Sequence, residues 1–331
     1  MVEIIGPLTA RPSYRSLVMN AYFLPHAFDS SFPETLDPKS LAYLNGQFIA
    51  LEDAKISVLD RGFLFADGIY EVVPVYRRQP FLWESHLRRL VRSLNAIELT
   101  SPLNEADWTA LVHQIIDRQA FDNQFIYLQI TRGAARRDHA FPQKVRPTVF
   151  AMASEFIRPS QTDRGNGLKA ITVNDERWLR CDIKSVALLG NVLARQKAVE
   201  QGAHEAILIR DGVVTEGAAS NIWLVIDDVL VGHPRDNLAL EGIRYGLIET
   251  LAENSGLKLS LRPRSQSDLD RASEVLLSSA TKELLAVCAI NQKPVGNGQP
   301  GPVFQRLRAA YDQIIETECP AGQVSKIASV A

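Results

Sequence analysis

Two-residue turns between apolar segments constrain the fold of this chain most strongly, because each turn reverses the backbone and pairs neighbouring strands. Asn45-Gly46 and Asp211-Gly212 each lie between two short apolar runs, a pattern that favours tight β-hairpins. The same reasoning predicts two further hairpins, at Arg77-Arg78 and at Asp227-Asp228. We therefore expect sheets built largely from strands that are adjacent in the chain.

Helical patterns are interspersed with these hairpins. Apolar residues recur at helical spacing within 87–94 and within 108–116, where Asn104 is a candidate cap. The mixture has no regular βαβ repeat, which favours an α+β fold over a doubly wound parallel sheet. The predicted organisation is an irregular N-terminal extension at 1–39, a small α+β domain at 40–158, a linker at 159–167 and a large domain at 168–331.

The large domain is predicted to begin with a strand at 168–173. Two helices are expected after it, from about Ser185 to Glu200 and from about Ile243 to Asn254, ended by Gly202 and Gly256 respectively.

Composition excludes several classes of protein. The 331 residues carry a formal net charge of -2, which provides no overall basic field for nucleic acid or an anionic membrane. The three cysteines lack metal-ligand spacing, so neither a zinc site nor a disulfide framework is expected. Residues 16–25 are too polar for a signal sequence, and no apolar run is long enough to span a bilayer. A cytoplasmic globular protein is expected.

Lys184 and Glu216 are the first candidates for chemistry. Lys184 stands between an extended segment and a predicted helix; such a lysine is usually a solvated charge, but a desolvated amine can form a Schiff base. Glu216 lies in a run of small residues between two strands. Either it belongs to a solvated turn, or its carboxylate faces the nitrogen of a flat pyridine ring.

Two other segments are candidate anion sites. Gly242 precedes a predicted helix, whose free N–H groups favour phosphate, and Arg89 lies opposite the apolar stripe of its own helix. The loop 131–142 contains three arginines and a histidine. It is either a solvated basic loop or a carboxylate-binding site.

Taken together, these segments resemble the D-amino acid aminotransferases, which belong to the fold-type IV pyridoxal-phosphate enzymes together with branched-chain aminotransferases and aminodeoxychorismate lyase. The resemblance runs from about Leu41 to about Leu285. It is carried by Asp60–Val73, Thr131-Arg-Gly, Arg177–Ser185, Val214-Thr-Glu-Gly and Glu241-Gly-Ile. It implies a small α+β N-terminal domain, a larger and mainly β-barrel-like domain with flanking helices, and a homodimer.

The resemblance also implies roles for individual residues. Lys184 would carry pyridoxal 5'-phosphate as a Schiff base and act as acid and base, and Glu216 would face the pyridine nitrogen. The other cofactor-binding residues would be Arg89, Leu240, Ile243, Arg244 and Ala280, and the substrate carboxylate would be bound by Tyr70 together with Arg137 and His139 of the other subunit. Relatives usually have Thr at the position of Arg244 and a hydroxyl residue at that of Ala280; Arg244 itself, Ser279 or Thr281 would have to compensate.

The Arg137-Asp138-His139 spacing separates D-specific enzymes from their relatives. The predicted activity is therefore a ping-pong transamination between D-amino acids, such as D-alanine or D-glutamate, and 2-oxo acids, such as 2-oxoglutarate or pyruvate. The alternatives on the same fold are an (R)-amine or branched-chain L-amino acid transaminase and an aminodeoxychorismate-type lyase. A non-catalytic protein that binds the cofactor is the remaining alternative.

Overall fold

The computed structural model describes residues 40–321, so the predicted extension at 1–39 lies outside the described residues. The strands are β1 (Leu41–Leu44), β2 (Gln47–Ala50), β3 (Gly68–Tyr76), β4 (Gln79–Pro80), β5 (Gln124–Thr131), β6 (Thr148–Glu155), β7 (Leu168–Asn174), β8 (Glu205–Arg210), β9 (Val213–Gly217), β10 (Asn221–Ile226), β11 (Val229–Gly232), β12 (Lys258–Leu261), β13 (Glu274–Ser279), β14 (Glu283–Ile290) and β15 (Lys293–Pro294). The α-helices are α1 (Arg61–Phe65), α2 (Trp83–Ala96), α3 (Glu105–Asp117), α4 (Gln161–Asn166), α5 (Leu189–Glu200), α6 (Arg244–Asn254), α7 (Gln266–Arg271) and α8 (Pro302–Glu318).

The first sheet has six strands in the order β2-β1-β6-β5-β3-β4, and all its pairs are antiparallel. Helices α2 and α3 cover one face, and their apolar residues form a single core with the sheet around Trp108, Leu90 and Ile126. Asn104 caps α3 by accepting a hydrogen bond from the N–H of Asp107, as predicted. The α+β character expected from the first half of the chain is confirmed.

The second sheet has nine strands in the order β12-β11-β10-β13-β14-β7-β8-β9, with β15 paired to β14. It mixes antiparallel pairs with the parallel pairs β7–β8, β7–β14 and β11–β12, and it curls into a half-barrel. Helices α6 and α8 pack together on it around Trp223 and Tyr311, and α5 packs on β7 and β8. This agrees with the predicted barrel-like sheet and flanking helices.

The hairpin turns have the backbone that their residues favour. Asn45 and Gly46 have φ values of 50° and 98°, and Asp211 and Gly212 have 50° and 77°. Positive φ at both central residues matches the twist of the flanking strands, and Asn, Asp and Gly tolerate it best. All four predicted hairpins form.

One local prediction was wrong. The helix expected from Ser185 begins only at Leu189, because residues 184–186 run beside β3: the N–H of Tyr70 donates to the carbonyl of Lys184, and that of Val186 to the carbonyl of Gly68. The segment 159–167, which is predicted as the linker between the domains, contains the short helix α4, which has a capping box formed by Ser160 and Asp163.

Within residues 40–321, no helix is long and apolar enough to cross a membrane.

Candidate active site

A cavity of about 500 Å³ lies between the two sheets. Strand β3 lines it from the first sheet, and β9, β10 and β13 line it from the second. The segment 177–188, the start of α6, and one side each of α2 and α5 also line it. This size is typical of sites for small molecules.

Lys184 projects into this cavity from the extended segment beside β3. Its Nζ lies 4.0 Å from the centre of the Tyr70 ring, which also lines the cavity. The N–H of Tyr70 donates to the Lys184 carbonyl over 3.0 Å. Because the lysine backbone is fixed to β3, the root of its side chain has a defined place in the wall of the cavity.

Glu216 lines the cavity from β9 of the second sheet, and its carboxylate is buried. One oxygen, Oε2, accepts hydrogen bonds from the amide of Asn221 at 3.2 Å and from the N–H of Leu240 at 3.1 Å. The other oxygen accepts from Arg177. Burial raises the pKa of Glu216, against the lowering effect of Arg177. The result is a fixed carboxylate that is more basic than one in water.

Arg177 is itself anchored by a second carboxylate. Its Nε and Nη2 donate to the two oxygens of Asp175, at 2.9 Å and 2.8 Å. Burial raises the pKa of Asp175, but hydrogen bonding and the charge of Arg177 outweigh this and hold the pKa at about 2. The guanidinium is therefore held against Glu216 by an ionised partner.

Arg89 lies at another end of the cavity and is buried, not solvated as most arginines on the outer face of a helix are. Its Nε and Nη2 donate to Glu71 of β3 at 2.7 Å and 2.8 Å. His86, one turn earlier on α2, contacts the same carboxylate through Nδ1 at 2.8 Å. Burial raises the pKa of Glu71, but Arg89 and His86 outweigh this and hold the pKa at about 2. Glu71 thus fixes the direction of both side chains.

Helix α6 begins beside these residues, as the glycine at 242 suggested. A Cβ on Gly242 would lie 2.1 Å from Oδ1 of Asn221, so only glycine fits there. The amide of Asn221 also donates to the carbonyl of Leu240 at 2.8 Å. Leu240, Ile243, Arg244 and Ala280 all line the cavity, which brings together every residue predicted to bind the cofactor.

The substrate-binding residues divide into two groups. Tyr70 lines the cavity, whereas Arg137 and His139 are exposed and do not line it. Their side chains lie beside Phe65, with the Arg137 guanidinium carbon 5.4 Å and the His139 ring centre 5.3 Å from the centre of its ring. Arg61 donates to the carbonyls of His139 and Ala140 at 3.2 Å and 3.3 Å, which fixes the loop.

Sequence reasoning gave no role to four residues that hold the site together. Glu71 and His86 orient Arg89, while Arg177 and Asn221 orient Glu216. The spacing of His86 and Arg89, three residues apart on a helix, was a usable signal because such residues share one face. The pairing of Arg177 with Glu216 had no local signal.

Comparisons with known proteins identify the family of this chain. The family described as amino-transferase class IV matches residues 68–290. The chain is 39% identical over 276 residues to a D-alanine aminotransferase of Staphylococcus haemolyticus, covering 83% of this chain and 98% of that protein. It is 36% identical over 274 residues to the D-alanine aminotransferase of Bacillus licheniformis, covering 83% of this chain and 96% of that protein.

Among solved structures, the branched-chain amino acid aminotransferase of Escherichia coli superposes with a TM-score of 0.80 at 22% identity, covering 88% of this chain and 98% of that chain. At this identity the likeness shows the fold alone, and it confirms the predicted fold of type IV. The family match spans most of the described residues, and the relatives are covered almost completely. The chain therefore belongs to the class IV aminotransferase family.

Proposed function

We propose that this protein is a pyridoxal-phosphate-dependent aminotransferase that exchanges amino groups between D-amino acids and 2-oxo acids. The observation that carries the proposal is one cavity that is lined by a lysine amine, a buried carboxylate and an arginine beside a helix start. The extensive identity to D-alanine aminotransferases supports the choice of D-amino acids.

The residues of the cavity fit pyridoxal phosphate. Arg89 and the start of α6 line the same part of the cavity, since Arg89 Nη1 donates to the carbonyl of Glu241 at 3.3 Å, and a Cβ on Gly242 would clash with Asn221. These groups suit a phosphate. Glu216 suits the pyridine nitrogen, since a basic, buried carboxylate holds a proton on that nitrogen. Lys184 suits the aldehyde, with which an amine forms a Schiff base.

When bound, pyridoxal phosphate supplies an electron sink for negative charge at the substrate Cα. Lys184 holds and moves the proton at that carbon, since its amine is the basic group that the chain places beside the Tyr70 ring. Asn221 and Arg177 orient the carboxylate of Glu216, which would hold the ring nitrogen of the cofactor. The phosphate-binding residues fix the position of the reacting atoms relative to Lys184.

We assign the substrate carboxylate to Tyr70 and to Arg137 and His139 of a second subunit. Arg137 and His139 lie outside the cavity of their own chain, on a loop held by Arg61. Exposed apolar residues near the cavity mouth and on neighbouring elements support a homodimer: Phe63 on α1, Trp178 and Leu179, and Leu189 and Val192 on α5. A carboxylate fixed in this way allows one enantiomer to direct its Cα hydrogen towards Lys184.

A comparison of enantiomers tests the proposal. With 2-oxoglutarate as acceptor, we expect D-alanine to react roughly a hundredfold or more faster than L-alanine or L-leucine, because only D-substrates satisfy both the carboxylate site and Lys184. Lys184→Ala is the control, and we expect it to lower the rate by about a thousandfold or more.

A preference for L-leucine would instead indicate a branched-chain enzyme, and release of pyruvate from aminodeoxychorismate without an acceptor would indicate a lyase. Undiminished activity in Lys184→Ala would contradict the role given to that residue.

A further inference from the structure

Arg244, the first residue of α6, is a buried arginine that has no acidic partner among residues 40–321. It is 3% exposed and lines the cavity. Its Nε donates to the hydroxyl of Tyr311 at 3.0 Å, and its Nη2 donates to the carbonyl of Ala280 at 3.3 Å. Within residues 40–321 no carboxylate oxygen lies within salt-bridge distance of it, and Nη1 has no hydrogen-bond partner there. An arginine stays charged in proteins, so this positive charge is buried and uncompensated.

Glu283 is the carboxylate whose charge acts on Arg244, but other arginines already neutralise that charge. Arg158, Arg164 and Arg308 all pair with Glu283, at 2.7 Å, 3.3 Å and 2.9 Å. The same three arginines pair with Asp312. Three positive charges therefore already face two carboxylates, and this cluster has no negative charge left for Arg244.

The charge of Arg89, unlike that of Arg244, is neutralised by a carboxylate. Arg89 is bound through two nitrogens to Glu71, so that pair has no net charge. His86 adds none at neutral pH, because burial lowers its pKa to about 4. The Arg244 guanidinium consequently provides the excess positive charge at this end of the cavity, where an anion can remove the cost of burying it.

We propose that the Arg244 side chain binds the phosphate of the cofactor directly, through its free Nη1 and its charge. This rests on the proposed function, and it assigns to a side chain what hydroxyl groups do in the relatives. Ala280 is consistent with this assignment, since it has no hydroxyl and its carbonyl instead holds the guanidinium. Tyr311 fixes the other side of the same group.

The test compares two ligands that differ only by the phosphate. Full-length Arg244→Met and the unchanged protein are titrated with pyridoxal phosphate and with pyridoxal, and binding is followed by quenching of tryptophan fluorescence. We expect Arg244→Met to weaken binding of pyridoxal phosphate by about ten- to a hundredfold, the usual effect of removing a charged hydrogen-bond donor. Binding of pyridoxal should be unchanged, and Arg244→Lys should recover part of the loss.

Tyr311→Phe is the matched control, because it removes the support of the guanidinium and keeps the charge. If Arg244→Met weakens the binding of both ligands equally, or the binding of neither, Arg244 only joins α6 to α8 and the inference is wrong. Thermal unfolding of Arg244→Met shows whether the variant is folded. Failure of the proposed function gives a different result: the unchanged protein then shows no preference for pyridoxal phosphate over pyridoxal and no D-specific transamination.

Discussion

Two opposing influences act on the carboxylate of Glu216. Burial raises its pKa, and Arg177 counteracts this through a hydrogen bond and its charge. Arg177 acts through Glu216, because its hydrogen bond and charge control how much of that carboxylate is ionised. Its own orientation depends on Asp175, so three residues act as one unit. We interpret Arg177 as a positioning residue for the proposed reaction.

Replacing Arg177 should change the pH dependence of activity. Without the cation the pKa of Glu216 rises, so the ionised form is lost at a higher pH as the solution is acidified. We expect Arg177→Met to move the acidic limb of the kcat profile upwards by about one to three pH units. Arg180→Met is the control, since Arg180 is exposed and pairs with the half-buried Asp182 at 3.0 Å. Identical acidic limbs in the two variants would refute the interpretation.

At the scale of elements, α2 is attached to β3 by a buried polar group. Glu71 of β3 is fully buried and binds both Arg89 and His86 of α2. Burial lowers the pKa of His86 to about 4 from its ordinary value of 6.5, with further lowering by Arg89 and Arg244 and an opposing effect of Glu71. The folded protein therefore keeps this histidine neutral under conditions where the unfolded chain protonates it.

This difference predicts a loss of stability in acid. Between pH 6.5 and 4 the unfolded chain binds a proton at His86 that the folded chain does not, so the free energy of unfolding falls as the pH falls. The full loss is on the order of 3 kcal/mol. In His86→Asn, which keeps a donor for Glu71, we expect a flatter pH dependence of the urea midpoint of the cofactor-free protein. The exposed His204→Asn should behave like the unchanged protein, and a parallel decline in all three would contradict the prediction.

Local signals account for most of the fold that could be predicted from the sequence. The hairpins follow from their turn residues, and α3 follows from its apolar spacing and Asn104. The extended course of Lys184 could not be predicted in this way, because its partner strand is more than a hundred residues earlier in the chain. The helical propensity of the short segment 185–188 is outweighed by the hydrogen bonds that hold this part of the chain to β3.

In the candidate site, too, contacts between distant segments could not be predicted from the sequence. The resemblance located Lys184, Glu216 and Arg89, and all three line one cavity. The residues that orient them come from distant parts of the chain, as Arg177 does for Glu216, and a single sequence does not show such pairs. The environment of Arg244 depends on Tyr311 and on the arginines around Glu283, which only the folded structure brings together.

At the scale of the whole molecule, the site of one chain lacks two of its proposed residues. Arg137 and His139 are exposed, and the contacts of their loop with Arg61 and Phe65 hold it away from the cavity of its own subunit. If a second subunit supplies them, each active site of the proposed dimer combines Lys184 of one chain with Arg137 of the other. A two-fold dimer would then contain two such shared sites.

Mixing two inactive variants tests this arrangement. Lys184→Ala lacks the amine and Arg137→Ala lacks the carboxylate-binding group, so each homodimer should have little D-alanine transaminase activity. After joint unfolding and refolding in equal amounts, half of the dimers are mixed, and each mixed dimer has one complete site. We therefore expect about a quarter of the unchanged activity. If Arg137 serves its own subunit, no site in a mixed dimer is complete, and the activity stays at the level of the two parent variants. Arg136→Ala, mixed with Lys184→Ala in the same way, controls for the loss of a positive charge from the loop.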